Sequence, residues 1–229
     1  MATKKVEIEG LGSVTLVKSR QSKSIRLSVQ RGVVRVSMPM LVPYSAGVRF
    51  LTSHMSWALE QLEGQQAPLL EDGKRIGRLH TLQFVPGETT SVRVSSSRIV
   101  VHYTSEEKIY HETVQTRARK ACIRALRHEA ELVLPPRLRN LSEQHNLPFK
   151  SVQVKQLKRR WGSCDSQRNI VLNLFLIQLP FELIDYVLCH ELAHTIHMDH
   201  GPKFWELTEA MLPDAKARRR ELKRHETDL

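Results

Sequence analysis

The stretch Phe181-Glu182-Leu183-Ile184-Asp185-Tyr186-Val187-Leu188-Cys189-His190-Glu191-Leu192-Ala193-His194 carries an apolar helical pattern and, inside it, the signature HExxH. Pro180 opens the helix, and Leu183, Ile184, Val187, Leu188 and Leu192 mark it as a core element. Residues four apart share one helix face, so His190 and His194 aim their imidazoles at one point. Two neutral imidazoles suit a zinc ion. Glu191, beside His190, tilts towards the same opening. A carboxylate there can take a proton from metal-activated water and deliver it to a leaving group.

A catalytic zinc site needs a third protein ligand and an open position. His197 and His200 follow at once. If the helix continued, residues 190 and 197 would stand about 10 Å apart along its axis. Three imidazoles so spread do not converge on one ion at about 2.1 Å. The helix is therefore expected to end near residues 194–197 and let the chain turn back. That makes His200 the better third ligand, with Glu206 and Glu209 on the next helix as the alternative and His197 as a supporting or surface group. The third histidine, ten residues after the first, matches the metzincin spacing, but His197 stands where that pattern has glycine.

Outward from this helix the chain reads as α+β. Residues 5–38 are strand-like: Ile25, Leu27 and Val29 alternate with Arg26 and Ser28, and Val34, Val36 and Met38 with Arg35 and Ser37. Arg31-Gly32 reads as the turn of an antiparallel hairpin. Val48, Leu51, Met55, Leu59 and Leu62 follow one helical stripe, and residues 64–68 form a connector. Strands return over 76–103. Ala118, Ala121, Cys122, Ala125, Leu126, Glu129, Leu132 and Val133 trace a long helix, expected to stop before Pro135-Pro136 and to be followed by a short one over 136–145. Strand-like stretches lie at 152–157, 161–164 and 170–173. Gly201-Pro202 opens a further helix, and Leu212-Pro213-Asp214 separates it from a basic last one. No internal repeat is visible. The expected organisation is a β-rich region with one helix over 1–105, then a domain over 106–229 with a small sheet packed on helices.

Composition narrows the classes. The 229 residues are 41% hydrophobic and 26% charged, ordinary for a folded soluble chain and unlike a disordered one. No apolar run approaches the roughly 18 residues of a membrane span. The start, MATKKVEIEG, lacks the apolar stretch of a signal peptide. Cys122, Cys164 and Cys189 are too few and scattered for a disulfide framework, so a cytoplasmic location is expected. The net charge is +11, and residues 1–105 carry 14 basic against 7 acidic side chains. Such an excess suits anionic partners, so the basic amino-terminal half is a possible nucleic-acid surface. Two tight clusters stand out: Lys158-Arg159-Arg160, ahead of Trp161-Gly162-Ser163-Cys164, and Arg218-Arg219-Arg220, which reads as the polar face of a terminal helix.

Arg160-Trp161-Gly162-Ser163-Cys164, Asn169-Ile170, Leu172-Asn173, Asp185-Tyr186-Val187, the HELxH segment, His197-Met198-Asp199-His200 and Phe204-Trp205 together resemble the YgjP-like family of zinc metallohydrolases. The pattern is specific between about 150 and 225 and compatible over the rest. His200-Gly201-Pro202-Lys203-Phe204 also resembles the third-ligand segment of SprT-like proteases. The resemblance implies a compact zincin-like domain binding one Zn2+ through His190, His194 and His200, with Glu191 as general base.

Three functions compete. A metallopeptidase would act on a peptide substrate with metal-activated water. A nucleoside triphosphate pyrophosphatase, the activity assigned to some members of that family, would use Arg159 and Arg160 as substrate-binding cations, with Lys155 and Lys158 beside them. Against it, phosphate-anhydride enzymes more often hold magnesium through carboxylates, whereas a His-rich set suits zinc. A non-enzymatic nucleic-acid-binding module rests on charge alone and leaves Glu191 without a role.

Overall fold

The computed structural model describes residues 2–30, 32–63 and 68–229. Arg31 of the expected hairpin turn and residues 64–67 of the expected connector lie outside the described residues. Contacts divide the chain into two units, Met1–Pro68 and Leu69–Leu229. The strands over 76–103, grouped from the sequence with the amino-terminal region, therefore share a unit with the long helix that follows them.

In the first unit, β1 (Ala2–Ile8) and β2 (Gly12–Ser19) pair antiparallel, with Val6 opposite Val14. The chain then crosses to β3 (Arg26–Gln30) and returns as β4 (Val33–Pro39). β4 is antiparallel to β3 and parallel to β2, so the sheet order is β1-β2-β4-β3. Alternation turns Val14 and Leu16, and Val34, Val36 and Met38, to one face. There they meet Leu51 of α1 (Tyr44–Ser53) and Ala58 of α2 (Met55–Glu63) in a core of their own. Full burial of one such aliphatic side chain contributes about 1.5–3 kcal/mol.

The second unit begins with a sheet of the same construction. β5 (Arg75–Ile76), β6 (His80–Pro86), β7 (Ser91–Val94) and β8 (Arg98–Tyr103) stand in the order β5-β6-β8-β7. Again the central pair is parallel and each outer strand antiparallel to its neighbour. The chain thus contains a repeat of topology that its sequence hides. Strand pairing needs only alternation and turns, and leaves residue identities free.

This sheet packs on α3 (Glu112–His145). The expected break at Pro135-Pro136 is absent, because the helix runs through both prolines. The carbonyls that lose their N–H partners belong to Glu131 and Leu132, both exposed, so water can satisfy them. The buried stripe Ala130, Leu134, Leu138 continues across the prolines and holds both halves on one axis. Leu132, expected in the buried stripe, is exposed instead. Glu129 is 2% exposed and faces back to the sheet: its carboxylate pairs with His80 Nδ1 at 2.5 Å and accepts the Arg78 backbone N–H at 2.8 Å.

After α3 come β9 (Ser151–Lys155), β10 (Gly162–Cys164) and β11 (Asn169–Asn173). They form a sheet in the order β10-β11-β9, with β10 at one edge. A 3-10 turn over Leu174–Gln178 leads into α4 (Phe181–Ala193), followed by α5 (Pro202–Met211) and α6 (Ala215–Leu222). Leu183, Ile184, Val187, Leu188 and Leu192 of α4 join α3 and both sheets of this unit in one core. No helix among the described residues is long and apolar enough to cross a membrane.

Candidate metal centre

α4 ends just ahead of residues 194–197, as the sequence predicts. Its last helical residue is Ala193, and His194 caps it. The chain then turns through residues 195–201 and re-enters a helix at Pro202. That reversal carries His200 back over the face bearing His190 and His194. One ring nitrogen from each of the three histidines lies within 4.8 Å of the others, and His190 Nε2 and His200 Nε2 are 3.1 Å apart. Two nitrogens bound tetrahedrally to one ion at about 2.1 Å stand about 3.4 Å apart. The His190–His200 pair is close to that spacing, and the three histidines together could hold a metal ion. Glu206, Glu209, Cys164 and Cys189 are not in the set. Glu209 instead accepts the backbone N–H of Lys216.

Local contacts fix the ring orientations. His194 Nδ1 donates to the carbonyl of His197 at 3.0 Å, which leaves Nε2 free for an ion. The contribution of His197 is its backbone, not its ring. Phe204, fully buried on α5, lies beneath all three imidazoles, with ring centroids 4.9, 4.7 and 4.7 Å from those of His190, His194 and His200. Trp205 flanks Phe204 with ring centroids 5.3 Å apart.

Burial sets the charge states. Desolvation, then the neighbouring His194 and His200, pushes His190 down to about 3, and desolvation also lowers His194. Near neutral pH both rings are already in the neutral form that metal ligation requires. Glu191 is 4% exposed, and desolvation raises its carboxyl to about 8 against the opposing charge of Arg160. Glu191 Oε2 and His190 Nδ1 are buried without a protein hydrogen-bond partner. Unpaired buried polar atoms are costly, so Glu191 Oε2 marks a place that a water or ligand would satisfy.

The segment before β10 forms the opposite wall. A Cβ on Gly162 would lie 2.6 Å from Glu191 Oε1, so only glycine lets β10 approach this carboxylate. Asn173, fully buried, braces the loop between β9 and β10. Its Nδ2 donates to the carbonyls of Leu157 and Arg160, both at 2.9 Å, and its Oδ1 accepts from the Leu157 and Phe175 amides at 3.3 Å. Thr227 Oγ1 donates to the Lys158 carbonyl from outside.

The result is a cleft of about 340 Å³ that holds His190, Glu191 and His200 together with Trp161, Tyr186 and Arg160. Arg159 is not among its lining residues. It faces the surface formed with Lys158 and residues 225–228. Two cleft residues escaped the sequence reading. Arg219 and Lys223, four apart on and just beyond α6, line the cleft with Leu222 between them. Their signal was this i, i+3, i+4 stripe, which the run Arg218-Arg219-Arg220 disguises as a solvated face. Arg218 points elsewhere, to the Glu182 carbonyl. Asn173 and Gly162 stood within recognised motifs, but without a reason for their identity.

No curated protein matches the sequence. Among solved structures, the metallopeptidase zymogen of Pyrococcus abyssi abylysin is similar at 23% identity, covering 40% of this chain and 94% of that chain with a TM-score of 0.37. The family model of the YgjP-like metallopeptidase domain matches residues 23–225, which span both the first unit's hairpin and the histidine cluster. The chain belongs to the YgjP-like family and is a metal-dependent hydrolase of its metallopeptidase domain.

Proposed function

We propose that this protein is a zinc-dependent peptidase in which His190, His194 and His200 hold one zinc ion and Glu191 is the general base. The observation that carries the reading is the convergence of three imidazole nitrogens within 4.8 Å at the mouth of a cleft that also holds a desolvated glutamate. An all-imidazole ligand set suits zinc. Zinc, when bound, acidifies water and polarises a carbonyl oxygen. The chain's own residues supply the rest. Burial raises the proton affinity of Glu191, and the positive charge of a bound zinc ion would favour its ionised form; that carboxylate takes the proton of the attacking water and returns it to the leaving nitrogen. Phe204 and the His197 carbonyl keep the imidazoles oriented while this happens. Gly162 admits the carboxylate, and Asn173 holds the facing wall.

A second reading, hydrolysis of a nucleoside triphosphate, is favoured by one observation: Arg160, Arg219 and Lys223 line the same cleft. Metal-loaded protein incubated with a mixture of unstructured peptides, and separately with UTP, tests both. The peptidase reading expects new peptide termini by mass spectrometry, lost with chelator and in Glu191→Gln, and UTP left intact. UTP turnover without peptide cleavage overturns it. Metal analysis of the wild type beside His190→Ala and His200→Ala should find one zinc per chain in the first and none in the variants. Zinc retained in His200→Ala would move the third ligand elsewhere.

A further inference from the structure

Several arginines of α3 and α6 are engaged. Arg137 forms a two-pronged pair with Asp185, Arg119 pairs with Asp228, and Arg218 donates to a backbone carbonyl. The cations of the cleft differ. Among the described residues, none of Arg160, Arg219 and Lys223 forms an ion pair. They come from two separate elements, the loop before β10 and the helix α6, yet they line one cavity. Arg219 is not loose: its guanidinium carbon sits 5.0 Å from the centroid of the Trp205 ring, and that ring lies 6.2 Å from the His200 ring. An arginine stacked on an aromatic face is pre-oriented and keeps its N–H fork free for a ligand. Trp161 and Leu222 supply an apolar wall beside it.

Three like charges gathered without an ion-pair partner repel one another, and a bound anion relieves the arrangement. Glu191, the carboxylate that lines the same cleft, is 4% exposed and forms no ion pair with any of the three among the described residues. We infer that Arg160, Arg219 and Lys223 form an oxyanion subsite beside the metal centre, and that its occupant is a carboxylate of an acidic peptide bound across the cleft. The inference rests on the peptidase reading for the word peptide; the subsite itself rests on the cations. A phosphate of a nucleotide offers the same chemistry, and the experiment separates the two sources.

The test uses zinc-loaded Glu191→Gln protein, so that binding is read without turnover. The probes are a fluorescein-labelled, alanine-rich octapeptide with two central glutamates, and the same peptide with two glutamines. Fluorescence anisotropy should give at least about tenfold tighter binding of the glutamate peptide, as charge-assisted contacts imply. The preference should shrink as salt rises. It should vanish when Arg219→Ala and Lys223→Ala are combined, and persist in Arg220→Ala, which removes one charge from the same helix outside the cleft. Equal binding of the two peptides, or a preference that survives the double variant, overturns the carboxylate assignment. UTP binding that depends on Arg219 and Lys223, with no peptide preference, assigns the subsite to phosphate instead. A peptide preference with the expected residue dependence, in a protein whose wild type cleaves no peptide, leaves the subsite standing and removes the peptidase reading alone.

Discussion

The two four-stranded sheets share strand order and strand directions, yet only one belongs to the unit with the candidate metal centre. The sheet over 2–39 is backed by two short helices and encloses a core of its own. The sheet over 75–103 is backed by the 34-residue α3, and α3 also packs against β9 and α4. Topology is therefore indifferent to function here. What differs is the helix behind the sheet, and whether that helix reaches on to further elements. The polar content of the cores follows the same division. The second unit buries Glu129 with His80 between sheet and helix, whereas the buried polar residues of the described chain include none from the first unit.

The largest expected effect tests that difference directly. Glu129→Ala leaves His80 Nδ1 and the Arg78 and Leu79 amides without their partner. Breaking a buried pair costs about 3–5 kcal/mol. In a chain of this size that lowers Tm by on the order of 10 °C. A melting curve within a degree or two of wild type would mean that the clasp does not tie sheet to helix.

Leu51→Ala asks the complementary question of the first unit. Leu51 is fully buried there, and truncation should cost about 2–5 kcal/mol. Because the two units have separate cores, zinc affinity measured by competition with a chromophoric chelator should not change. A parallel fall in zinc affinity would show that the cores are coupled. Asn173→Ala is a smaller change inside the second unit. It leaves the amide and carbonyl of Leu157 and the carbonyl of Arg160 without their side-chain partner, a loss of about 1–3 kcal/mol. Stability should fall modestly, while turnover falls more than metal content, since the wall facing Glu191 loosens and the imidazoles do not.

The smallest effect concerns the thiols, all three of which lie in the second unit. Burial raises Cys122 to about 11 and Cys189 to about 12; burial, then Glu191 and Asp165, raises Cys164 to about 11. Since the thiolate is the reactive form, a raised pKa means slower alkylation at neutral pH and a rate that climbs through pH 11. At pH 8, iodoacetamide should modify Cys164, the half-buried one, about 100-fold more slowly than a free thiol. Cys122 and Cys189 should react only after unfolding. Fast labelling of all three without denaturant would mean that the second unit opens more readily than its core implies.

Much of this was legible in the residues. The helix over 181–193, its end at His194 and the return of His200 follow from local rules: apolar periodicity, proline at a helix start, and the reach of an imidazole. The hairpin of β3 and β4 follows from alternation. Where the expectation failed, the cause was non-local. The prolines at 135 and 136 forbid a helix only when the carbonyls they strip are buried, and burial belongs to the tertiary structure. The repeated sheet left no trace in sequence, because pairing partners are chosen across the chain. Arg159 and Arg160 are neighbours with equal charge, but a single residue's rotation on the loop puts one in the cleft and the other outside.

The chain by itself thus determined the helix that carries His190 and His194, the class of its chemistry and the alternation of its sheets, because each depends on contacts within a few residues. Only the tertiary structure decided which cations share the cleft with Glu191, why position 162 must be glycine, and what Asn173 holds in place. Those facts depend on segments tens of residues apart being pressed together by one core, and no periodicity along the chain encodes that distance.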